Sequence, residues 1–343
     1  MKSFDGASLL NIVDLPAYLK RVDKELDNVL LSDNPYIREP ILRLIKAKSK
    51  RIRPSLLLAV LTSRGQTVDK KVIASCVAIE LVHIASLVHD DIIDNGQTRW
   101  MVPTINAKEG VNYAVMIGDY LFAKANQQAA NVSLEVAKII AKTIEQLCEG
   151  EICEMSDEFN VDRSISSLMG TIEGKTAALI SASCRIGGLC SGLNNADIEA
   201  LDKFGRFFGI AFQFIDDILD FLSNQQILGK AVGNDVREGV YTMPLLLGLA
   251  GKNGNRLKNL IKNKNGNDEL VNFLLKDGSF EKSIHLINEY NILAAKELKN
   301  FNDVKTKNSL IKLPESYFKW SIENLVDKKY QPDINDILKV LIS

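Results

Sequence analysis

Residues 80–94 have the sequence ELVHIASLVHDDIID, an apolar stretch that ends in a group of aspartates. Apolar side chains recur in it every three or four positions, which is the period of an α-helix. Residues four apart lie on the same face of a helix, so we expect Asp90 and Asp94 to present their carboxylates side by side. The stretch predicts an apolar helix with paired carboxylates at its end.

A second segment has the same pattern. Residues 212–221 have the sequence FQFIDDILDF, which places Asp216, Asp217 and Asp220 among Phe, Ile and Leu. Carboxylates held close together in apolar surroundings raise each other's pKa unless a cation neutralises them. Oxygen donors without His or Cys nearby select hard cations such as Mg²⁺. The two segments together predict Mg²⁺-binding clusters, whereas either one alone is also compatible with a solvated acidic end of a helix.

Helical spacing of apolar residues extends along most of the chain. It is clearest in residues 41–45, 56–60, 72–88, 139–147 and 210–222. Alternating runs bounded by turn residues, which are typical of strands, are scarce. No polar linker divides the chain, so the pattern predicts an all-α protein with a single domain over residues 1–343. The polar stretches 251–266 and 300–308 are predicted to be solvated loops that lead into helices.

The composition is typical of a globular protein with a sizeable core, because 46% of the 343 residues are hydrophobic and 25% are charged. Lys and Arg number 42 and Asp and Glu 43, so the net charge is −1, which argues against a nucleic-acid partner. No apolar run reaches the roughly 20 residues of a membrane-spanning helix, and we find no secretory signal. Five cysteines without CxxC spacing predict reduced thiols in a cytoplasmic protein.

Together these motifs resemble those of the trans-type polyprenyl diphosphate synthases, whose isoprenoid synthase fold is a large single-domain helical bundle around a deep central cavity. The two aspartate segments are similar to the family's two DDxxD motifs. Other segments resemble its GKRxRP, GD-x-L, lysine, GKxxGxD and TLP motifs: SKRIRP (49–54), GDYLFA (118–123), EGKTA (173–177), GKAVGND (229–235) and YTMPLL (241–246). The resemblance divides the chain into a motif-bearing core of about residues 40–250, C-terminal helices at 251–330 and an extra tail at 331–343.

The resemblance implies a Mg²⁺-dependent prenyltransferase, a homodimer, that condenses an allylic prenyl diphosphate with isopentenyl diphosphate to a longer trans-polyprenyl diphosphate. About three Mg²⁺ ions per site would be held by carboxylates, with the main ligands Asp90, Asp94 and Asp216 and the weaker ones Asp91, Asp217 and Asp220. The implied ligands of the allylic diphosphate are Arg99, Lys175, Lys230 and Gln213. Both lysines count among the catalytic residues with the three main aspartates. The implied ligands of isopentenyl diphosphate are Lys50, Arg53 and His83.

Product length is predicted from the residues before the first aspartate motif. In the resemblance the growing chain passes Ala85 and Ser86, which are both small, and continues past Val82. An open channel there predicts a product of more than about 20 carbons, although one side chain changes such a length preference only modestly. Aromatic residues of other segments that would shorten the channel are Tyr120, Phe122 and Phe159.

Four positions depart from the family pattern. Trp100 replaces the second arginine after the first aspartate motif, Val240 replaces a lysine, Glu154 replaces a glutamine and Ser49 replaces a glycine. Trp100 and Val240 remove positive charge, so the site for isopentenyl diphosphate is expected to be weakened. Three alternatives therefore stay open: a class I terpene synthase or cyclase, in which the aromatic face stabilises a carbocation, a transferase to another acceptor, and a non-catalytic or weakly active partner subunit.

Overall fold

The structure is a computed structural model and describes residues 10, 12, 14–46, 51–99, 102–224, 232–262, 266–301 and 303–342. Three residues of the predicted site, Lys50, Trp100 and Lys230, lie outside the described residues. Helices dominate in the part of the chain that is described. The strands within it are β1 (Thr98–Arg99) and β2 (Val102–Pro103), which pair antiparallel.

Helices follow one another through the chain with short connections. In the first half they are α1 (Leu15–Val29), α2 (Pro35–Lys46), α3 (Ile52–Ser63), α4 (Lys70–Ile93), α5 (Ile105–Glu109), α6 (Val111–Val132), α7 (Leu134–Ser156) and α8 (Ile165–Ile172). After a π-helical turn at Glu173–Ala177 come α9 (Ala178–Cys190), α10 (Asn195–Leu222), α11 (Asn234–Glu238), α12 (Met243–Leu249), α13 (Gly254–Lys262), α14 (Asn267–Lys276), α15 (Ser279–Glu297), α16 (Val304–Ile311), α17 (Leu313–Leu325) and α18 (Gln331–Ile342).

The helix-periodic segments of the sequence all lie in helices, namely α2, α3, α4, α7 and α10. The predicted all-α class is confirmed. Side-chain caps mark several helix starts as expected for short polar residues. Asp69 accepts a hydrogen bond from the backbone N–H of Val72 at the start of α4, and Ser164 accepts one from Ser167 at the start of α8.

One loop prediction is wrong in part. Most of the stretch 251–266 is helix α13, because Leu257, Leu260 and Ile261 bury one face of it while its Lys and Asn residues cover the other. The helix start predicted in the stretch 300–308 is confirmed, since helix α16 begins at Val304. Its N-cap is Asp303, whose carboxylate accepts hydrogen bonds from the N–H groups of the first turn.

The chain forms two compact units. The first comprises Met1–Leu147, Ala178–Arg206 and Ala295–Leu313, and the second comprises Cys148–Ala177, Phe207–Ala294 and Pro314–Ser343. Each unit is therefore assembled from stretches that are distant in sequence. The single domain over residues 1–343 stays a prediction.

Helix α4 is the centre of the first unit. It packs against α6 and also contacts α1, α3 and α9. Its length and composition would allow it to cross a membrane, although the sequence analysis found no uninterrupted apolar run of that length. However, 72% of its apolar window is buried within the protein. Its packing is that of a core helix, which carries the first aspartate motif at its C-terminal end.

A buried ion pair ties the start of α3 to α4. Glu80 of α4 is 1% exposed, and its Oε1 lies 2.5 Å from Nη1 of Arg51. The same guanidinium donates to Asp23 of α1 at 2.8 Å. A buried carboxylate without such a partner is strongly destabilising. The backbone of Arg51 adopts the uncommon left-handed conformation, with φ of 47°, which directs its side chain into this pair.

The second unit has an aromatic core. Phe208, Phe214 and Phe221 of α10 are buried together with Phe280 of α15, and the rings of Phe221 and Phe280 meet edge to face at 6.0 Å. Aromatic pairs in this geometry add to the free energy of burial. The second aspartate motif occupies the same part of α10.

A buried arginine and the C-terminal helix also stabilise the second unit. The buried guanidinium of Arg163 donates to Asp157 at 3.1 Å and to Thr171 at 2.6 Å, and so holds the loop between α7 and α8. The segment predicted to be an extra tail forms helix α18, which buries Ile334. It is thus part of the folded unit.

A glycine pair tests the close approach of α9 and α10 in the first unit. A Cβ at Gly205 would lie 2.7 Å from the Cα of Ser181, so we expect Gly205→Ala to lower the free energy of unfolding by about 1–3 kcal/mol. A Cβ at Gly170 of α8 would meet no atom within 4 Å, so Gly170→Ala should stabilise the protein by up to about 1 kcal/mol. Urea unfolding measures both, and equal effects would contradict the packing argument.

Candidate active site

The first aspartate motif ends α4. Asp90 is half-buried, Asp91 is buried and Asp94 is exposed. Asp94 is the C-cap residue of the helix, and its backbone N–H donates to the carbonyl oxygen of Asp90 at 2.8 Å. Asp90 and Asp94 therefore lie one turn apart as predicted, whereas Asp91 is directed into the protein.

Asp91 has a partner that the sequence did not indicate. Nε and Nη2 of Arg99 lie 2.8 Å and 2.7 Å from its Oδ1. Burial raises the pKa of Asp91, and the hydrogen bond and charge of Arg99 partly offset that effect. Burial would lower the pKa of Arg99, but the three carboxylates of the motif raise it. A predicted metal ligand and a predicted diphosphate ligand thus neutralise each other here.

The loop that brings Arg99 to the motif is held by two residues that the sequence analysis missed. Thr104 donates its hydroxyl to the carbonyl of Gly96 at 2.6 Å. Asn106 donates to the carbonyl of Asp91 at 2.9 Å. Arg99 itself lies in β1, opposite Val102 of β2. Thr104 at the start of a short helix is a recognisable N-cap signal, but the bonds to the preceding loop have no counterpart in the local sequence.

The charges of three arginines act on His83, which lies two turns before the motif. Burial lowers the pKa of His83 well below its ordinary value, and the charges of Arg53, Arg99 and Arg51 lower it further. Its imidazole is therefore neutral near pH 7. Of the residues predicted to bind isopentenyl diphosphate, the structure brings Arg53 and His83 together, and it adds Arg99 to them. We call Arg53, His83 and Arg99 the basic cluster.

The glycine of the GD-x-L motif, Gly118, lies against the ring of His89. A Cβ at Gly118 of α6 would overlap the ring of His89, which is the residue before Asp90. The ring lies 3.3 Å from the carbonyl oxygen of Val115 through Nε2 and meets Phe122 edge to face at 5.6 Å. The absence of a side chain at Gly118 makes room for the ring of His89.

The second aspartate motif lies in the second unit and is more deeply buried. Asp216 is half-buried, while Asp217 and Asp220 are each 2% exposed. Nε2 of Gln213 donates to Oδ1 of Asp217 at 2.9 Å, and Gln213 accepts a hydrogen bond from Thr176 at 2.6 Å. Gln213, predicted to bind the allylic diphosphate, contacts the second aspartate motif in this structure.

Asp217 and Asp220 differ in how their charges are stabilised. Burial raises the pKa of Asp217 well above its ordinary value, and Asp235 and Asp216 raise it further. Oδ2 of Asp217 makes no hydrogen bond of normal geometry. Asp220 instead accepts from the backbone N–H of Asp235 at 3.3 Å, and its carbonyl accepts from Gly233 at 2.8 Å. Asp220 thus anchors the described end of the GKxxGxD segment.

Lys175 lies in the π-helical turn and is held by two glutamates of α7. Its Nζ is 2.7 Å from Oε2 of Glu151 and 2.9 Å from both carboxylate oxygens of Glu154. The departure at Glu154 therefore acts directly on a residue predicted to bind diphosphate. Val240, the other described departure, donates its N–H to the carbonyl of Asp235 at 2.8 Å, a bond that any residue except proline can make.

Tyr317 of α17 is a site neighbour that no motif indicated. Its ring is buried and stacks on Phe212 with centroids 4.7 Å apart. Burial raises the pKa of Tyr317 well above its ordinary value, and Asp216 raises it further through its charge and a hydrogen bond. Only packing places a C-terminal aromatic residue beside the second motif, so a local sequence pattern cannot find it.

The donor set fits a hard divalent cation. Among the described residues, no group of three or more His, Cys, Asp or Glu side chains is gathered closely enough to hold an ion as it stands. The buried Oδ2 of Asp217 without a hydrogen bond is the kind of oxygen that a cation would stabilise. Oxygen-only donors agree with Mg²⁺ or Ca²⁺.

Comparison with known proteins identifies the family. The family model described as polyprenyl synthetase matches residues 34–277. The protein belongs to the polyprenyl synthetase family. It is therefore a prenyltransferase, as predicted.

Relatives with curated descriptions agree. The chain is 39% identical over 234 residues to heptaprenyl diphosphate synthase component 2 of Geobacillus stearothermophilus, covering 68% of this chain and 72% of that one. It is 35% identical over 306 residues to nonaprenyl diphosphate synthase of Mycobacterium tuberculosis, covering 87% and 90%. Both matches span most of each chain.

Solved structures confirm the isoprenoid synthase fold. A decaprenyl diphosphate synthase from Rhodobacter capsulatus has a TM-score of 0.81 at 28% identity, covering 89% of this chain and 96% of that one. A polyprenyl synthase from Caulobacter crescentus, complexed with calcium and isoprenyl diphosphate, has a TM-score of 0.83 at 26% identity, covering 93% and 99%. The latter protein binds a divalent cation and a prenyl diphosphate on this fold.

Gly118→Ala tests the room that Gly118 leaves for the ring of His89. We expect the added methyl group to displace the ring and the adjacent Asp90, lowering the free energy of unfolding by about 1–3 kcal/mol and reducing prenyl transfer. Urea unfolding and product formation measure the two effects. In the double variant with His89→Ser the methyl group has room, so the unfolding penalty should shrink. Strictly additive effects of the two substitutions would contradict the proposed overlap.

His83→Asn tests the buried neutral histidine. The pKa of His83 in the folded protein lies below its ordinary value of 6.5, so only the unfolded chain takes up this proton as the pH falls. Stability should therefore drop below pH 6.5 by at most about 1.4 kcal/mol per pH unit from this group. Urea unfolding at pH 7 and pH 5 should show a smaller loss in the variant, with the exposed His285→Asn as control. An unchanged pH dependence would refute the assignment.

Proposed function

We propose that the protein elongates an allylic prenyl diphosphate with isopentenyl diphosphate, to a product of more than about 20 carbons. The observation that carries this proposal is the basic cluster, in which the charges of Arg53 and Arg99 act on a neutral His83 and Arg99 bonds to Asp91 of the first aspartate motif. Guanidinium groups are suited to diphosphate oxygens because they donate several charge-assisted hydrogen bonds. Arg53 and His83 thus remain as proposed ligands of the acceptor diphosphate despite the loss of charge at Trp100 and Val240.

The aspartate motifs are proposed to bind Mg²⁺, about three ions, through Asp90, Asp94 and Asp216. Bound Mg²⁺ would supply Lewis acidity to the leaving diphosphate. Asp217 contributes its Oδ2, which makes no hydrogen bond of normal geometry. Asp91 has a lesser role because it is occupied by Arg99, and so does Asp220 because it accepts from the backbone of the GKxxGxD segment.

Residues of this chain are proposed to guide the transfer itself. The C–O bond of the allylic substrate breaks, and the diphosphate leaves with the electron pair toward Lys175 and Lys230. The double bond of isopentenyl diphosphate, held at Arg53 and His83, attacks the allylic cation to form the new C–C bond. Loss of a proton then restores a double bond. Fixed cations stabilise the charge that grows on the leaving group.

Two observations support a long product. The curated relatives include heptaprenyl, nonaprenyl and octaprenyl diphosphate synthases. Ala85 is fully buried on α4, so a small side chain occupies the interior position that the growing chain is proposed to pass. Phe122 packs on His89 and Phe159 lies in a loop, where its N–H donates to Gly239. These contacts of Phe122 and Phe159 do not support a role for either ring in closing the channel.

A second candidate concerns assembly. Two relatives are described as component 2 of heptaprenyl diphosphate synthase. This wording favours the alternative that the chain works with a different partner chain rather than as a homodimer. Multi-angle light scattering of the purified chain distinguishes a dimer from a monomer.

We place the protein in the cytoplasm on the basis of its free cysteines.

Incubation of the purified protein with farnesyl diphosphate, isopentenyl diphosphate and MgCl₂ tests the function. We expect prenyl diphosphates of more than about 20 carbons, detected by mass spectrometry. Asp90→Ala and Asp216→Ala should each lower turnover at least about 100-fold. Each variant loses a carboxylate proposed to bind the Mg²⁺ that would stabilise the charge on the leaving diphosphate. Asp336→Ala, at an exposed aspartate outside all the family-like segments, is the matched control and should retain turnover.

Other products would identify the alternatives. A hydrocarbon or alcohol formed from the allylic substrate alone would indicate a terpene synthase. Absence of turnover until a partner chain is added would indicate the heteromeric enzyme. Full activity in both aspartate variants would refute the metal assignment.

A further inference from the structure

Helix α7 and the π-helical turn approach each other closely in the second unit. A Cβ at Gly150 would lie 2.7 Å from the backbone nitrogen of Lys175 and 3.0 Å from Gly174. The backbones are therefore in direct contact at this point. Single π-helical turns of this kind occur frequently at functional sites. The contact places Lys175 within reach of Glu151 and Glu154, which are three residues apart on α7.

The charges in this contact do not balance. The ammonium group of Lys175 bonds to Glu151 at 2.7 Å and to both oxygens of Glu154 at 2.9 Å. The three side chains are 27%, 17% and 14% exposed, respectively, so solvent screens them only partly. One cation faces two carboxylates. Burial raises the pKa of Glu154 more than Lys175 lowers it, and the charge of Glu151 adds to the rise while the more distant charge of Arg163 opposes it.

We propose that Glu154 is a positioning residue that sets the affinity for the allylic diphosphate by competing with it for Lys175. The inference rests on the proposed function, in which Lys175 binds that diphosphate. A lysine held by two carboxylates must weaken those bonds when it turns to a phosphate oxygen. The cost of doing so reduces the net gain from the new contact.

The residue type at position 154 decides the strength of this competition. Glutamate and glutamine have nearly the same size, but only glutamate carries a charge. With glutamine at 154, Lys175 would keep Glu151 as its anionic partner, and the charges of the contact would balance. A neutral amide still holds the ammonium group through its carbonyl oxygen, so the lysine stays in place while its charge becomes available.

Glu154→Gln tests this inference in two ways. We expect the KM for farnesyl diphosphate to fall about three- to tenfold, while the KM for isopentenyl diphosphate changes less than about twofold, as one partly exposed ionic contact is removed. Calorimetry with inorganic diphosphate and MgCl₂ should show a Kd lowered by a similar factor. Glu151→Gln removes the other charge from the same lysine and should change both constants in the same direction.

Glu149→Gln is the matched control. Glu149 lies on the same helix, is exposed, and loses the same charge when substituted. Its variant should have the constants of the parent protein. Equal changes of KM and Kd in Glu149→Gln and Glu154→Gln would show that any lost negative charge on this helix has the same effect, which would overturn the inference. An unchanged or raised KM for farnesyl diphosphate in Glu154→Gln would overturn it as well.

The two readouts separate the inference from the function on which it rests. If the parent protein forms no elongated product, the proposed function fails, while calorimetry with inorganic diphosphate still measures the effect of Glu154. If the parent protein elongates its substrate and Glu154→Gln leaves both constants unchanged, only the inference fails. A general loss of structure would lower kcat and raise both KM values, which is opposite to the expected pattern.

Discussion

Burial of carboxylates in apolar helices is the constraint on which the rest of this structure depends. In the first unit, Glu80 and Asp91 lie on the core helix α4, where an unpaired charge would cost several kcal/mol. Arg51 and Arg99 compensate them, and each arginine comes from a segment outside that helix. The two ion pairs thereby attach the start of α3 and the β1–β2 hairpin to α4. The same connections gather the arginines of the basic cluster around His83.

The second unit compensates its carboxylates less completely, and its chemistry follows from that. Gln213 satisfies one oxygen of Asp217 but leaves the other without a normal hydrogen bond. Lys175 faces two glutamates, so the contact keeps an excess of negative charge. Protein groups that are fully neutralised have little tendency to bind ions. The incomplete compensation is therefore consistent with groups that bind a metal and a diphosphate during the reaction.

Sequence reasoning succeeded where the information is local and periodic. The spacing of apolar residues predicted the helices that carry both aspartate motifs, and the motifs predicted the family. It failed at 251–266, because Lys and Asn on the solvent side of α13 obscured the apolar face formed by Leu257 and its neighbours. It also missed the pairing of Asp91 with Arg99 and the place of Tyr317 beside Asp216, since no local pattern specifies such contacts.

The sequence by itself determined the all-α class, the order of the motifs and the residue types available for chemistry, because each of these follows from side-chain identity and short-range spacing. Only the tertiary structure decided which charges meet. Asp91 lies one residue from Asp90 yet turns to Arg99, and Glu154 meets Lys175 across a separation of 21 residues in sequence. Electrostatic interactions depend on distance and burial in space, and both arise only when the helices pack.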